Sequence, residues 1–318
     1  MSVRTRIGLV LALLLLGVAA ALFRPGEARR TERFPVMGTI AAVSLEADPE
    51  AAERGIAAVR AEFDRVVELC DLRDPESELS RLNAAAATAP FVCSPELWEI
   101  ITQARAAWRI SGGAFDPTVK PLMDLWGFYR KRGETAPEAG EIAGARELVG
   151  LDKVEFDDAA RSVRFLRSGM AFDFGGIAKG YAVDRAAERL EQLGFHRGLV
   201  DLGGNIRGLS DGEYRVGITD PSHPDLLTDE IITLHGSEAV ASSGDYQRFV
   251  VLGGVRYGHI IDPASGVPPA PDYAVTVVAP TAVAADWLST SAFLRGPEFS
   301  EIAGRECGAR LVFVDKER

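Results

Sequence analysis

The sequence predicts an α+β fold, a single mixed-sheet domain with helices packed on largely antiparallel sheets, and three observations predict it. Strand-like and helix-like segments are mixed without the regular βαβ alternation that a parallel sheet requires. No internal repeat or low-complexity linker divides the chain after residue 31. The 318 residues, 47% hydrophobic and 25% charged, match a globular chain with a sizeable core, at roughly 150 residues per domain. Its 17 Pro and 32 Gly set no collagen-like period. A net charge of −11 excludes ordinary nucleic-acid binding, because phosphate backbones are held by clustered cations.

Arg4 and Arg6 precede an uncharged run from Ile7 to Phe23, with Ala19-Ala20-Ala21 as a small-residue cleavage site; this reads as an export signal. The run is short for a span of ~20 residues. Arg24, Arg29, Arg30 and Arg33 follow closely and weaken cleavage. Residues 1–23 are therefore a signal peptide or N-terminal membrane anchor, 24–31 a short linker, and 32–318 the folded domain. No Cys stands near Gly17 to Leu22 to carry a lipid. Cys70, Cys93 and Cys307 lack metal-ligand or disulfide-scaffold spacing and read as buried thiols.

Phe34 to Leu45 predicts a strand. Asp48-Pro49 opens a helix, Asp capping the free amides and Pro fitting the first turn; Ser94-Pro95 opens another, which Gly112-Gly113 closes. Val154 to Phe165 predicts a hairpin and Ile177 to Leu193 a helix. Gly198 to Asp201, Tyr214 to Ile218, Phe249 to Leu252, Tyr257 to Ile261 and Ala274 to Val278 predict strands. Thr281 to Leu294 predicts a helix and Arg310 to Val314 a last strand.

Three segments carry residues suited to chemistry. Phe172-Asp173-Phe174-Gly175-Gly176-Ile177-Ala178-Lys179-Gly180 leads from an apolar strand into a helix through glycines, a geometry that lets backbone approach a phosphate. It is neither a Walker loop nor a dinucleotide fingerprint. Asp173, between two Phe residues, must find a partner. In the helix after Thr281, Asp286 and Thr290 share a face with Ser289 alongside, and no Lys or Arg stands three or four residues from Asp286. Oxygen ligands of this kind suit Mg²⁺ completed by a carbonyl and substrate phosphate. The bland alternative is an exposed Asp on a polar stripe, or one paired with a distant Arg. His259, before the Asp262-Pro263 turn, is a candidate proton acceptor. Asp201-Leu202-Gly203-Gly204-Asn205 and Ser242-Ser243-Gly244-Asp245-Tyr246 are further polar loops at strand ends.

The order of these blocks resembles the FAD:protein FMN transferase, or ApbE, family. The resemblance runs from Met37-Gly38-Thr39 through Ser77-Glu78-Leu79-Ser80-Arg81-Leu82-Asn83 and Gly113-Ala114-Phe115-Asp116-Pro117-Thr118 to the glycine loop. It continues through the Asp201, Ser242 and His259 blocks to Ala285-Asp286-Trp287-Leu288-Ser289-Thr290. It departs from the family where an aromatic residue often precedes the Ser77 block, since Arg73 or Asp74 stands there, and in lacking a lipoprotein Cys. The resemblance implies a T-fold-related domain on the periplasmic side of the inner membrane that binds FAD and Mg²⁺, with Ca²⁺ as the alternative ion. It implies cleavage of FAD and attachment of FMN to a Thr hydroxyl of a target, releasing AMP. The implied targets are subunits of membrane redox complexes, of the sodium-pumping NADH:quinone reductase or Rnf type. The implied metal ligands are Gly176, Asp286 and Thr290, with Ser289 a further candidate. The implied FAD contacts are Met37, Ala114, Phe115, Asp116, Asp173, Lys179 and Ile260.

Such chemistry needs phosphate charge neutralised, two oxygens held in line and a proton acceptor. His259 is the first candidate for that proton; Asp173 and Asp262 are the alternatives. An FAD pyrophosphatase releasing free FMN, and a flavin-binding protein without turnover, are the competing functions.

Overall fold

The computed structural model describes residues 29–316; the leader expected over residues 1–23 lies outside them. Strand β1 (Arg29–Val36) starts inside the stretch expected as linker and turns back at Met37-Gly38 into β2 (Thr39–Glu46). The single strand expected from Phe34 to Leu45 is thus a hairpin. Both turn residues have positive φ, +50° at Met37 and +72° at Gly38, as tight two-residue hairpins require. Met is a poor turn former, which is why the reversal is not legible in the sequence.

Helix α1 (Pro49–Cys70) opens as expected, with Asp48 accepting from the Ala51 amide at 2.9 Å. Next come α2 (Glu78–Ala85), the short β3 (Phe91–Val92) and α3 (Pro95–Ser111). Ser94 caps α3 and Gly112, at φ +62°, closes it. Then follow α4 (Lys120–Leu125), α5 (Ala139–Arg146) and the expected hairpin, β4 (Val154–Asp157) with β5 (Ser162–Phe165). Helix α6 (Ala178–Gln192) precedes β6 (Gly198–Leu202), β7 (Asn205–Gly208), β8 (Glu213–Thr219), β9 (Leu227–His235) and β10 (Ala239–Ser243). The chain ends with β11 (Phe249–Leu252), β12 (Val255–Gly258), β13 (Tyr273–Ala279), α7 (Ala282–Arg295), α8 (Phe299–Cys307) and β14 (Arg310–Asp315). The strand expected over Tyr257 to Ile261 stops at Gly258, so His259 and Ile260 stand in the loop that follows.

Seven strands form one sheet in the order β1-β2-β6-β7-β10-β13-β14, and every neighbouring pair is antiparallel. Alternation divides its side chains between two layers. Val200, Leu202, Ala239, Ala241, Val275 and Val277 face the helices α1, α6 and α7 in the main core. Leu199, Ile206, Val240 and Val278 face the other way, against Tyr214, Val216, Ile218, Ile232 and Leu234 of the β8–β9 ribbon. A third cluster joins Leu122, Met123 and Trp126 of the α4 region to Leu252 and Ile261. The three cysteines are free, and burial pushes the Cys93 thiol up to about 12. Among the described residues no helix is long and apolar enough to cross a membrane.

Candidate active site

Helices α6 and α7 meet at their N-terminal ends, and glycine makes the contact. A Cβ on Gly180 would stand 2.3 Å from the Ala282 carbonyl oxygen and 2.8 Å from the Val283 Cα, so only Gly lets the two backbones approach this closely. Asp184, one turn further along α6, accepts from the Ala282 and Val283 amides, each at 2.8 Å, and pairs with Arg207 at 2.6 Å. Thr281 accepts from the Ala284 amide at 3.2 Å. Three first-turn amides of α7 are thereby satisfied from two directions, which fixes the helix and with it Asp286.

Asp286 is 4% exposed. Its Oδ2 accepts from the Gly180 amide at 2.9 Å, and the Lys179 ammonium lies 3.6 Å from Oδ1. The bland alternative of an exposed Asp, or one paired with a distant Arg, does not describe Asp286: it is buried, and its cation is a lysine from the glycine loop. A Cβ on Gly176 would stand 3.4 Å from Thr290 Oγ1 and 3.2 Å from the Phe115 ring, so Gly176, Phe115 and Thr290 form one corner. Ser289 Oγ is buried, donates to the Asp286 carbonyl at 2.8 Å and lies 2.9 Å from Ser243 Oγ. Of the two hydroxyls, Thr290 faces the corner and Ser289 is engaged within the core.

The donors fit a hard cation. Among the described residues no group of three or more His, Cys, Asp or Glu is gathered for a metal. The corner instead offers one carboxylate, one hydroxyl and the Gly176 backbone, an all-oxygen set that leaves positions for water and phosphate, as Mg²⁺ prefers.

The glycine loop differs from the open cradle expected of it. Its Gly175 amide donates to Asp173 Oδ1 at 2.7 Å, its Gly180 amide to Asp286, and its Ile177 and Ala178 amides to the Phe174 carbonyl. The helix end therefore orients carboxylates more than it offers bare amides. Asp173 finds the partner its apolar setting demands in Tyr129, whose hydroxyl donates to Oδ2 at 2.8 Å. Burial and the Asp173 charge push the Tyr129 hydroxyl well above its ordinary range, so it stays a donor.

His259 hangs from the end of β12. Its backbone amide donates to the Arg248 carbonyl at 3.0 Å and its Nδ1 lies 3.2 Å from the same oxygen. With the proton on Nδ1 to make that bond, Nε2 carries the free lone pair. Burial, helped by the Arg248 and Lys179 charges, pushes the imidazole down to about 4, so it is neutral at pH 7. The alternative bases are engaged elsewhere: Asp262 accepts from the Ala264 and Ser265 amides of its own turn, and Asp173 is bonded on both oxygens.

The remaining residues expected to touch the dinucleotide divide. Met37 is half-buried and, with Arg161, is one of two non-glycine residues with positive φ among those described. Ala114 and Phe115 are buried, Phe115 beside Gly176, and Ile260 is buried in the main core. The Asp116 carboxylate accepts from Trp108 Nε1 at 3.1 Å and from the Thr118 amide at 2.8 Å, which gives its side chain the work of holding this loop. Sequence reasoning missed Tyr129, Arg248 and Asp184. Arg248 lies over the rings of Phe128 and Tyr129, 5.6 and 5.2 Å from their centroids, and links the His259 end to the Asp173 end. The signal available for Asp184 was its place as an acid among small apolar residues of α6.

Fold and site together define an α+β protein whose antiparallel sheet presents an oxygen-lined corner and a lysine at one end of two packed helices, with a neutral histidine in the loop after β12. Residues 37–311 match the ApbE family. The chain is 34% identical over 291 residues to an FAD:protein FMN transferase of Klebsiella pneumoniae, covering 88% of this chain and 83% of that one. It is 33% identical over 276 residues to one of Vibrio cholerae, covering 83% and 80%. Among solved structures it superposes on the flavin transferase ApbE of Vibrio cholerae with a TM-score of 0.81 at 28% identity, covering 92% of this chain and 95% of that one. The ApbE protein of Thermotoga maritima gives 0.82 at 30% identity, covering 91% and 97%. The chain belongs to the ApbE family.

Proposed function

We propose that the chain is a transferase that cleaves FAD and attaches FMN, through a phosphoester, to a Thr hydroxyl of a target redox protein, releasing AMP. The observation that carries this reading is the corner where Gly176, Asp286 and Thr290 meet Lys179, in a chain that also holds a neutral, lone-pair-bearing His259.

Asp286, Thr290 and the Gly176 carbonyl would hold Mg²⁺, or Ca²⁺ in its place, with Ser289 supporting the helix backbone behind them. When bound, the ion supplies neutralising charge to the pyrophosphate oxygens. Lys179 adds positive charge beside the same oxygens, so a chain with a net charge of −11 is locally suited to an anionic substrate. Ala114, Phe115, Met37 and Ile260 supply the apolar surface for the flavin dinucleotide, and Asp173 a fixed acceptor beside them. His259 Nε2 takes the proton of the acceptor hydroxyl as its oxygen bonds to the FMN phosphorus. The bond from that phosphorus to the AMP oxygen breaks and AMP leaves. A base already neutral at pH 7 is available without first losing a proton.

The leader-like sequence of residues 1–23 supports an exported protein, anchored or cleaved, acting on the periplasmic side of the inner membrane on flavin-bearing subunits of membrane redox complexes. The test is to mix the protein with FAD, Mg²⁺ and such a subunit, then to follow AMP release and flavin fluorescence on a denaturing gel. Transfer leaves fluorescence on the subunit with AMP in solution. AMP with free FMN contradicts the transferase, and no AMP contradicts turnover.

A further inference from the structure

We propose that Asn205 is a positioning residue for the cation corner: its amide ties Lys179 to Asp286 and sets which way the Asp286 carboxylate faces. The inference rests on the cation reading above. Asp286 is nearly sealed from water, so protein partners alone fix its orientation. Gly180 holds Oδ2 from one side. Turned with its nitrogen toward the carboxylate, the only orientation that satisfies both neighbours, the Asn205 amide donates to Asp286 Oδ1 at 3.1 Å and accepts from Lys179 Nζ. A carboxylate has about four acceptor sites. One donor on each oxygen fixes its plane and leaves a lone pair on each for a cation. The amide oxygen gives Lys179 a neutral anchor beside Asp286, so the ammonium can face a phosphate without being lost from the corner.

The backbone is built to deliver this amide. Gly203 and Gly204, at φ +60° and +88°, make the two-residue reversal between β6 and β7. Asp201 Oδ1 accepts from the Gly204 amide at 2.9 Å, and a Cβ on Gly203 would stand 2.5 Å from Thr39 Oγ1, so the turn is seated on the β1–β2 hairpin. Asn205 pairs with Leu202 and shares its face toward α6 and α7, where it is 3% exposed. The partners of its amide are the two charged side chains of the corner and not its own turn.

The experiment titrates Mn²⁺ alone, without FAD, into each protein and follows the free ion by electron paramagnetic resonance, with a thermal melt of each variant. Asn205→Ala and the volume-matched Asn205→Leu are expected to bind Mn²⁺ about 10- to 100-fold more weakly than wild type, the range for residues that orient a metal ligand. Lys179→Met is expected to bind it at least as tightly as wild type, because Asn205 still holds Asp286 and a competing cation is gone. Wild-type affinity in a folded Asn205 variant, with affinity lost in Asp286→Ala, overturns the role of Asn205. Loss of affinity in Lys179→Met to the level of Asp286→Ala overturns it too, independently of whether the Asn205 variants fold. Unchanged affinity in Asp286→Ala overturns the cation reading, and this inference with it.

Discussion

At the scale of single residues, burial sets the protonation of two groups in opposite senses. His259 is held neutral down to about pH 4, whereas an unfolded imidazole titrates near 6.5. Between these values the unfolded chain binds the extra proton, so the His259 contribution to stability is complete above pH 6.5 and is lost as pH falls toward 4. For catalysis, flavin transfer is expected to hold level from pH 8 to 6 and to fall only nearer pH 4. An acid limb centred near 6.5 in the pH profile contradicts that assignment. Asp201 runs the other way: burial raises its carboxyl from 3.8 to about 7. There the folded state holds the extra proton, so stability declines as pH rises from about 4 through 7. Asp201→Asn, which keeps an acceptor for the Gly204 amide, is expected to melt at a higher temperature than wild type at pH 8, with the difference vanishing near pH 4. Equal melting at both pH values contradicts it. Residues of this kind were legible to different degrees. Asp173, Asp286 and His259 stand out as polar groups in apolar or turn settings, but their partners Tyr129, Lys179 and Arg248 come from elsewhere in the chain, and one sequence carries no signal for such pairings.

At the scale of elements, the site depends on the contact between α6 and α7. Removing Asp184 leaves Arg207 buried without its partner and two α7 amides unmet. Asp184→Ala is therefore expected to cost about 3–5 kcal/mol in urea denaturation, in the range for breaking a buried pair. Gly180→Ala forces a methyl into the Ala282 carbonyl and is expected to cost about 1–3 kcal/mol, with a larger loss of flavin transfer because Asp286 moves. A Gly180→Ala protein with wild-type stability and activity contradicts the close approach. Helices opened by Asp48-Pro49, Ser94-Pro95 and Thr281 were readable because a cap is a local hydrogen bond between residues three apart. The β1–β2 reversal was not, since Met37 takes a left-handed conformation that the surrounding fold imposes. Strands β7, β9 and β10 were not legible either: β7 and β10 are only four and five residues long, and β9, though nine residues, is exposed along most of its length and so lacks a clean apolar alternation.

At the scale of the whole molecule, one antiparallel sheet carries helices on one face and a β-ribbon on the other, and the candidate site lies where the helices begin. The α+β class was legible because strand-like and helix-like segments alternate irregularly. Strand order was not, because β13 lies between β10 and β14 through contacts across long stretches of sequence. The sheet and the site lie within residues 29–316. A chain beginning at residue 24 is expected to retain the thermal transition and the flavin-transfer rate of the longer protein, and loss of either contradicts the assignment of residues 1–23 to targeting alone. The most direct test of the central claim is an anomalous difference map from crystals grown with Mn²⁺ and FAD. The account predicts one strong peak within coordination distance of the Asp286 carboxylate, Thr290 Oγ1 and the Gly176 carbonyl. Crystals in which FAD is bound and that corner shows no peak would contradict it.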